Sequence, residues 1–181
     1  SASVSNNTRQ EINFNHNWKF KSGDHTAYKD KQHNDSGWTV LDVPHDYIFE
    51  EGVSKDGSQK QFGGNHGGGL AWYRKHFAFD PNWQGKQVYI QFDGVYMNSE
   101  VWLNGQLLGN RPYGYISFQY DITEHLNRDS NVISVRVDNE LQPSARWYHP
   151  GGIYAPVRLV VVDPTHIKHN SLFIHTPVVG Y

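Results

Sequence analysis

The stretch from Ser144 to Tyr154 concentrates side chains that could bind a ligand rich in hydroxyl groups. It reads Ser-Ala-Arg-Trp-Tyr-His-Pro-Gly-Gly-Ile-Tyr and so holds a guanidinium, an imidazole, three aromatic rings and two adjacent glycines. Aromatic rings offer flat apolar faces, and arginine offers a planar fork of donors. This mixture suits a sugar. The alternative is a loop that packs its rings into the core, with Arg146 stacked on one of them.

A second candidate loop is rich in glycine. Five of the seven residues from Gly63 to Gly69 are glycine, and they surround Asn65 and His66. Glycine-rich loops can hold phosphates, but no Lys-Ser/Thr pair and no helical pattern follow this one. Two interpretations remain: a flexible surface loop, or a backbone kept open for the close approach of a ligand or another domain.

Other chemistries find less support in the residue spacing. His166, His169 and His175 have no acidic partner at helical spacing, so we predict no metal site and no cofactor. A Ser/His/Asp triad stays open, although no Gly-x-Ser-x-Gly motif favours it. Seven carboxylates are candidates for an acid–base pair, and their spacing singles out no two of them: Asp46, Glu50, Glu51, Asp93, Glu100, Asp138 and Glu140. We therefore predict no catalytic residue in this chain alone.

The composition narrows the class of protein further. Of 181 residues, 37% are hydrophobic but 14% are aromatic, which predicts a core built largely from rings. No apolar run approaches the ~20 residues that cross a bilayer, so we expect no membrane insertion. Net charge is −2 without a basic stripe, which argues against nucleic acid as a partner. Cysteine is absent, which excludes disulfides and thiolate metal sites, and both a cytoplasmic and a secreted or cell-surface location stay possible.

Periodicity indicates short strands. We predict a first strand over Glu11–Phe20 with a bend near Asn15, and a hairpin at Asn104-Gly105, where both turn residues must take positive φ. No helical period extends over ~12 residues, and at most one helical turn is expected at Asp121–Leu126. Several short strands with turns between them predict an all-β sandwich with little helix. Further strands are expected around Tyr73–Phe79, Val88–Phe92, Phe118–Tyr120, Ile133–Val137 and Val157–Val162.

Seven segments together resemble the N-terminal sugar-binding domain of glycoside hydrolase family 2. They occur in the order of that family and cover roughly residues 12–162. They are Val43-Pro44-His45-Asp46, Gly68-Gly69-Leu70-Ala71-Trp72-Tyr73-Arg74-Lys75, Phe92-Asp93-Gly94-Val95, Val101-Trp102-Leu103-Asn104-Gly105, Gly114-Tyr115 with Phe118, Tyr120-Asp121-Ile122-Thr123, and Arg146-Trp147-Tyr148-His149-Pro150-Gly151-Gly152-Ile153-Tyr154.

The resemblance implies a jelly-roll β-sandwich, similar to galactose-binding domains, at the front of a multidomain enzyme. An immunoglobulin-like domain and a catalytic barrel with both catalytic glutamates would follow. We therefore expect a linker or expression remnant over residues 1–10, the sugar-binding domain over 11–164, and a linker with the first strand of the next domain over 165–181. Asn139-Glu140 is not the Asn-Glu pair of the barrel, because it lies within this domain's own Asn-Glu-x-x-Pro-Ser stretch.

The family's sandwich lends loop residues to the sugar pocket of the barrel. By position, the substrate-binding candidates here are Arg146, Trp147, Asn65, His66 and Asp46. Some β-galactosidases carry an acidic residue two positions before the tryptophan, where it helps to hold the sugar and a sodium ion. Here that position is Ala145, which gives no support to a sodium site, and an arginine often found after Ile-Tyr is Ala155.

The resemblance favours a retaining β-galactosidase as the parent, with a β-galactoside substrate shared with the missing barrel and with possible homo-oligomers. β-Glucuronidase and β-mannosidase are the alternatives within the family. An autonomous carbohydrate-binding module is an alternative of a different class, suggested by six Trp and eleven Tyr. A scaffold whose rings only contact sister domains or subunits is a third.

Overall fold

The structure, a computed structural model, describes residues 9–47, 69–112, 114, 116–139 and 150–164. The prediction of an all-β sandwich is confirmed: within these ranges ten strands form two antiparallel sheets, accompanied by 3-10 turns at Thr26–Lys29, Pro81–Trp83 and Thr123–His125. The strands are β1 (Gln10–Asn13), β2 (Trp18–Ser22), β3 (Thr39–Leu41), β4 (Leu70–Ala78), β5 (Gln87–Phe92), β6 (Ser99–Leu103), β7 (Gln106–Arg111), β8 (Phe118–Asp121), β9 (Ser130–Asp138) and β10 (Val157–Val162).

The two sheets differ in size. The smaller has the order β1-β10-β5-β8 and the larger the order β3-β2-β4-β9-β6-β7. In the larger sheet β4 and β9 pair along nine residues each, from Leu70 opposite Asp138 to Ala78 opposite Ser130. This long pair lies at the centre of the larger sheet. Its Leu70/Asp138 end is the end next to the two candidate segments in the chain. No helix in the described part of the chain is long and apolar enough to span a membrane.

The prediction of one strand over Glu11–Phe20 is wrong, because this stretch forms β1 in the smaller sheet and β2 in the larger. The chain crosses between the sheets after Asn13, and Asn17 takes a φ of 58° on the way. Phe14 and Trp18 both turn inward during this crossing, and the indole Nε1 of Trp18 donates to the Phe14 carbonyl at 2.7 Å. The apolar side chains of this stretch share one parity because β1 and β2 face the same core from two different sheets.

The core between the sheets is built as the alternation predicts. In β5 the side chains of Val88, Ile90 and Phe92 are buried, while the residues between them are partly exposed. Phe92 stacks on Phe118 of the neighbouring strand with ring centroids 5.2 Å apart. Offset aromatic pairs of this kind add to the free energy of simple burial. Rings thus supply much of the core, as the composition suggested.

The outer face of the larger sheet is also buried, which the alternation did not predict. The segment from Gly23 to Trp38 lies over it, and Trp38, Trp72 and Trp102 form a second apolar cluster there with Tyr28 packed against it. Trp72 and Trp102 stack at 5.1 Å, and Trp72 Nε1 donates to Asp24 of the segment at 2.7 Å. We call Gly23–Trp38 the covering segment.

The predicted hairpin at Asn104-Gly105 is confirmed. Asn104 has a φ of 52° and Gly105 of 83°, and the turn joins β6 to β7. The Asn104 side chain also anchors the turn to the sandwich, because its Nδ2 donates to Asn131 Oδ1 at 2.9 Å and its Oδ1 accepts from the Val132 amide at 2.9 Å. The turn residue therefore serves both the local bend and a tertiary contact.

Candidate functional site

The described residues that bound the two candidate loops meet at one end of the sandwich. Tyr47 and Gly69 flank residues 48–68, and the Tyr47 hydroxyl donates to the Gly69 carbonyl at 2.8 Å. Asn139 precedes residues 140–149, and its amide donates to the same carbonyl at 2.7 Å. Asn139 Nδ2 also donates to the Tyr47 hydroxyl at 3.0 Å. We call Tyr47, Gly69, Asn139 and Gly151 the loop junction.

Gly151 brings the fourth loop end into this junction. The Tyr47 amide donates to the Gly151 carbonyl at 3.1 Å, and the Gly151 amide donates to Asp46 Oδ1 at 3.0 Å. The described residues on either side of 48–68 and of 140–149 therefore lie together at one place in the sandwich.

The structure places one of the five predicted substrate-binding residues. Asp46 is partly buried and accepts the hydrogen bond from Gly151, so its carboxylate takes part in the loop junction. Asn65, His66, Arg146 and Trp147 lie outside the described residues, and their role in sugar binding stays a prediction. The sequence-based prediction for Asp46 did not include this structural contact.

The Pro-His-Asp and Gly-Gly-Ile-Tyr motifs pack against each other beside the junction. His45 is buried, its Nδ1 lies 2.7 Å from the Tyr73 hydroxyl, and its amide donates to the Ile153 carbonyl at 2.8 Å. Gly152 has a φ of 106°, and a Cβ there would lie 2.1 Å from the Tyr73 hydroxyl. The second glycine of the pair is thus required by backbone geometry and by close packing.

Tyr154 lies at the same end of the molecule. Its hydroxyl donates to the Gly114 carbonyl at 2.6 Å. Its ring lies so close to Gly94 that a Cβ at Gly94 would be 2.5 Å from the ring. The glycines of the Phe-Asp-Gly-Val and Gly-Tyr motifs therefore make room for aromatic rings, and these motif residues have a structural role.

Of the four described carboxylates among the seven catalytic candidates, Asp46, Asp93 and Asp138 contact a cation or an amide. Asp93 pairs with Arg158 and accepts from Gln91 Nε2 at 3.1 Å, and Asp138 lies 3.7 Å from Arg136. Glu50, Glu51 and Glu140 lie outside the described residues. Within the described ranges, no group of three or more histidine, aspartate or glutamate side chains could hold a metal ion.

Sequence reasoning missed Asn139 and Tyr47 as residues of the candidate site. In the sequence Asn139 stands out only as part of an Asn-Glu pair, and Tyr47 carries no motif signal. Both are buried, with 4% and 3% of their surface exposed. An asparagine directly after an apolar strand was the available signal, but such a residue more often caps a turn.

The comparisons with known proteins agree with this architecture. Residues 65–165 match the family model described as "Glycosyl hydrolase 2 galactose-binding domain-like". The chain is 59% identical over 169 residues to a Formosa agariphila protein named "Putative beta-glucuronidase", and 46% identical over 169 residues to a beta-galactosidase of Bacteroides ovatus. A crystal structure of a beta-glycosidase from Bacteroides vulgatus superimposes on 86% of the chain with a TM-score of 0.76 and 44% identity.

The matched relatives are much longer than this chain. Each of these two named relatives aligns with 93% of the chain. The chain in turn covers only 16% of the Formosa agariphila protein, 20% of the Bacteroides ovatus protein and 20% of the Bacteroides vulgatus structure. This coverage fits a sandwich domain within a larger multidomain glycosidase. The chain belongs to glycoside hydrolase family 2 and corresponds to its N-terminal galactose-binding-like domain.

Proposed function

We propose that this chain is the non-catalytic domain of a retaining β-glycosidase and that its two loops help to shape the sugar pocket of a catalytic barrel. The observation that carries this proposal is the loop junction, where the Tyr47 hydroxyl, the Gly69 carbonyl and the Asn139 side chain meet. Because both segments start there, Asn65, His66, Arg146 and Trp147 can serve one pocket. The barrel would supply the two carboxylates of the covalent mechanism.

A β-galactoside is the first substrate candidate. The Bacteroides ovatus relative is named a beta-galactosidase and aligns with 93% of the chain. The Pro-His-Asp and Arg-Trp-Tyr motifs favour the same activity by resemblance. Trp147 would offer its ring to the apolar face of the sugar, and neighbouring polar groups would bind the hydroxyls.

A β-glucuronide is the second candidate, and two observations favour it. The Formosa agariphila relative, at 59% identity, carries the glucuronidase name. A glucuronide has a carboxylate that a galactoside lacks, and the planar guanidinium of Arg146 suits a carboxylate better than it suits a hydroxyl.

The first experiment separates the domain from the enzyme. The isolated chain is incubated with aryl β-galactoside and aryl β-glucuronide, and we expect no turnover because the barrel glutamates are absent. Turnover at the rate of the full-length parent would contradict the proposal. Calorimetric titration of the same chain with galactose and lactose should show no saturation below millimolar concentrations, since half a site makes few hydrogen bonds of ~0.5–1.5 kcal/mol each. Saturation below that range would favour an autonomous carbohydrate-binding module.

The second experiment tests the loop in the full-length parent. Arg146→Ala should lower kcat/KM by at least about tenfold on the true substrate, because a hydrogen bond from a charged group is lost. Arg9→Ala, at an exposed arginine paired with Glu11, is the matched control and should leave kcat/KM unchanged. An unchanged kcat/KM in Arg146→Ala would remove this loop from the pocket. A larger loss on the glucuronide than on the galactoside would identify the carboxylate as the partner of Arg146.

A further inference from the structure

Through its side chain and its backbone amide, Asn139 bonds to three separate parts of the chain. Its Oδ1 accepts from the Met97 amide at 2.8 Å, and its Nδ2 donates to the Tyr47 hydroxyl at 3.0 Å. Its backbone amide donates to the Gly69 carbonyl at 2.7 Å. One buried residue therefore connects the β5–β6 connection, both ends of residues 48–68 and the start of residues 140–149.

We infer that Asn139 is a positioning residue that fixes the places of Tyr47 and Gly69, the described residues between which one candidate substrate loop runs, relative to its own position, where the other loop begins. This inference rests on the proposed function of the loops and goes beyond it by naming the residue on which their geometry depends. Asn139 itself makes no contact with the substrate. It acts through Tyr47 and Gly69, which bound the Asn65-His66 segment, while it begins the Arg146-Trp147 segment itself.

The position of Asn139 is set by a rigid element. It follows directly on β9, which pairs with β4 along all nine of its residues and with β6 through Ile133–Arg136. Met97 reinforces this position, because the Asp138 amide donates to the Met97 carbonyl at 3.1 Å. A side chain anchored on a central strand is held more precisely than one anchored on a loop.

Burial makes the hydrogen bonds of Asn139 important. Tyr47 and Asn139 are 3% and 4% exposed, so water cannot readily replace either partner. Loss of the Asn139 amide group would leave the Met97 amide without this acceptor and would weaken the link between the loops. The substrate-binding side chains would then be placed less well for the bound sugar, which weakens substrate binding and raises KM.

Asn131 is a matched control on the same strand. It is fully buried, its Oδ1 accepts from Asn104 Nδ2 at 2.9 Å and from the Asn127 amide at 2.7 Å, and its Nδ2 donates to the Asn127 carbonyl at 3.0 Å. It lies eight residues before Asn139, roughly 26 Å away along an extended strand. Asn131 therefore has similar burial and bonding at the opposite end of the sandwich.

The test uses the full-length parent and compares Asn139→Ala with Asn131→Ala. Both variants should lower the Tm, since each loses buried hydrogen bonds. Only Asn139→Ala should raise KM for the aryl glycoside by about tenfold or more, with a smaller change in kcat, while Asn131→Ala keeps KM within about twofold. Equal KM changes in the two variants, or an unchanged KM in folded Asn139→Ala, would overturn the inference.

A gentler pair of variants keeps the test decisive where Asn139→Ala fails to fold. Asn139→Asp keeps the acceptor for Met97 and removes the donor to Tyr47, and Tyr47→Phe removes the same bond together with the bond from the Tyr47 hydroxyl to Gly69. Each should raise KM by at least about threefold, and the double variant should not exceed the larger single effect by more than about twofold, because the shared bond is lost once. Multiplicative KM effects, or none, would count against coupling through this bond.

Arg146→Ala separates this inference from the proposed function. When Arg146→Ala lowers kcat/KM but Asn139→Ala behaves like Asn131→Ala, the loops serve the pocket and only the positioning role fails. When Arg146→Ala has no effect, the proposed function of its loop is wrong, and the positioning role that rests on it is overturned as well.

Discussion

At Asp35, one buried carboxylate contacts two cations and an imidazole on the outer face of the larger sheet. Its Oδ2 accepts from Arg74 Nε at 2.8 Å and lies 2.6 Å from His76 Nε2, and its Oδ1 accepts from Lys19 Nζ at 2.7 Å. Arg74 is fully buried and also donates to Ser134 Oγ at 3.2 Å and to carbonyls of the covering segment. Asp35 thus neutralises a buried guanidinium and ties the covering segment to the sheet.

The network sets the protonation of Asp35. Burial raises the pKa of its carboxyl, but the hydrogen bonds from Lys19, Arg74 and His76 together outweigh burial and hold the pKa well below its usual range. A folded-state pKa below the unfolded value of ~3.9 means that protonation favours the unfolded chain. The stabilisation is therefore complete above about pH 5 and declines as the pH falls below about 4.

We predict that Asp35→Asn lowers the free energy of unfolding at pH 7 by about 3 kcal/mol, because a buried arginine loses its carboxylate. The difference from the parent sequence should shrink steadily when urea unfolding is repeated from pH 5 towards pH 2. Glu124→Gln, at an exposed carboxylate, is the control and should follow the parent sequence throughout. A stability difference between Asp35→Asn and the parent that stays constant with pH would contradict the role given to Asp35.

At the scale of elements, the covering segment explains why β9 is buried on both faces. Val135 and Val137 face the core between the sheets, while Ser134 and Arg136 lie under the segment. Arg136 donates to Asp24 at 3.1–3.2 Å, beside the Trp72 indole that bonds the same carboxylate. A polar, turn-rich stretch of sequence thus forms a packed third layer through its few rings and its backbone carbonyls.

Trp38 should anchor this third layer. It is 7% exposed and packs edge-on against Tyr28 at 4.9 Å. We predict that Trp38→Ala lowers the free energy of unfolding by about 3 kcal/mol, measured by urea unfolding. Val40→Ala, two residues on and 61% exposed, should change it by less than about 0.5 kcal/mol. Equal effects at the two positions would show that the segment does not pack as described.

At the scale of the whole molecule, the two sheets share one core. The crossing at Phe14–Trp18 connects the sheets through the backbone, and its side chains pack into that core. Trp18 and Trp83 belong to this core, while Trp38, Trp72 and Trp102 belong to the outer cluster. Because β4 carries Tyr73 into one cluster and Trp72 into the other, neither cluster can be lost without disturbing the same strand.

The described sandwich should therefore unfold as one cooperative unit. We predict that urea unfolding of the chain followed by tryptophan fluorescence, which reports both clusters, coincides with unfolding followed by far-ultraviolet circular dichroism. Trp38→Ala should shift both curves together. Two separated transitions would mean that the outer layer opens independently of the core.

Much of the fold could be predicted from residue order. The alternation of Val88, Ile90 and Phe92 and the turn at Asn104-Gly105 depend on near neighbours in sequence, so both were found. The assignment of β1 and β2 to one strand failed, because parity cannot tell which of two facing sheets a strand joins. The candidate site was predictable only in part. The glycines and aromatic rings of its motifs also have packing roles, and the sequence does not separate these roles from ligand binding.

The sequence by itself determined the β class, the hairpin and the membership of glycoside hydrolase family 2, because these follow from local periodicity and from an ordered set of motifs. Only the tertiary structure decided that Asn139 bonds to Tyr47, a residue 92 positions away, and that the four ends of two loops share one junction. Such contacts arise from strand pairing across the sheet. No local pattern encodes them, since the partners become neighbours only when the sandwich closes.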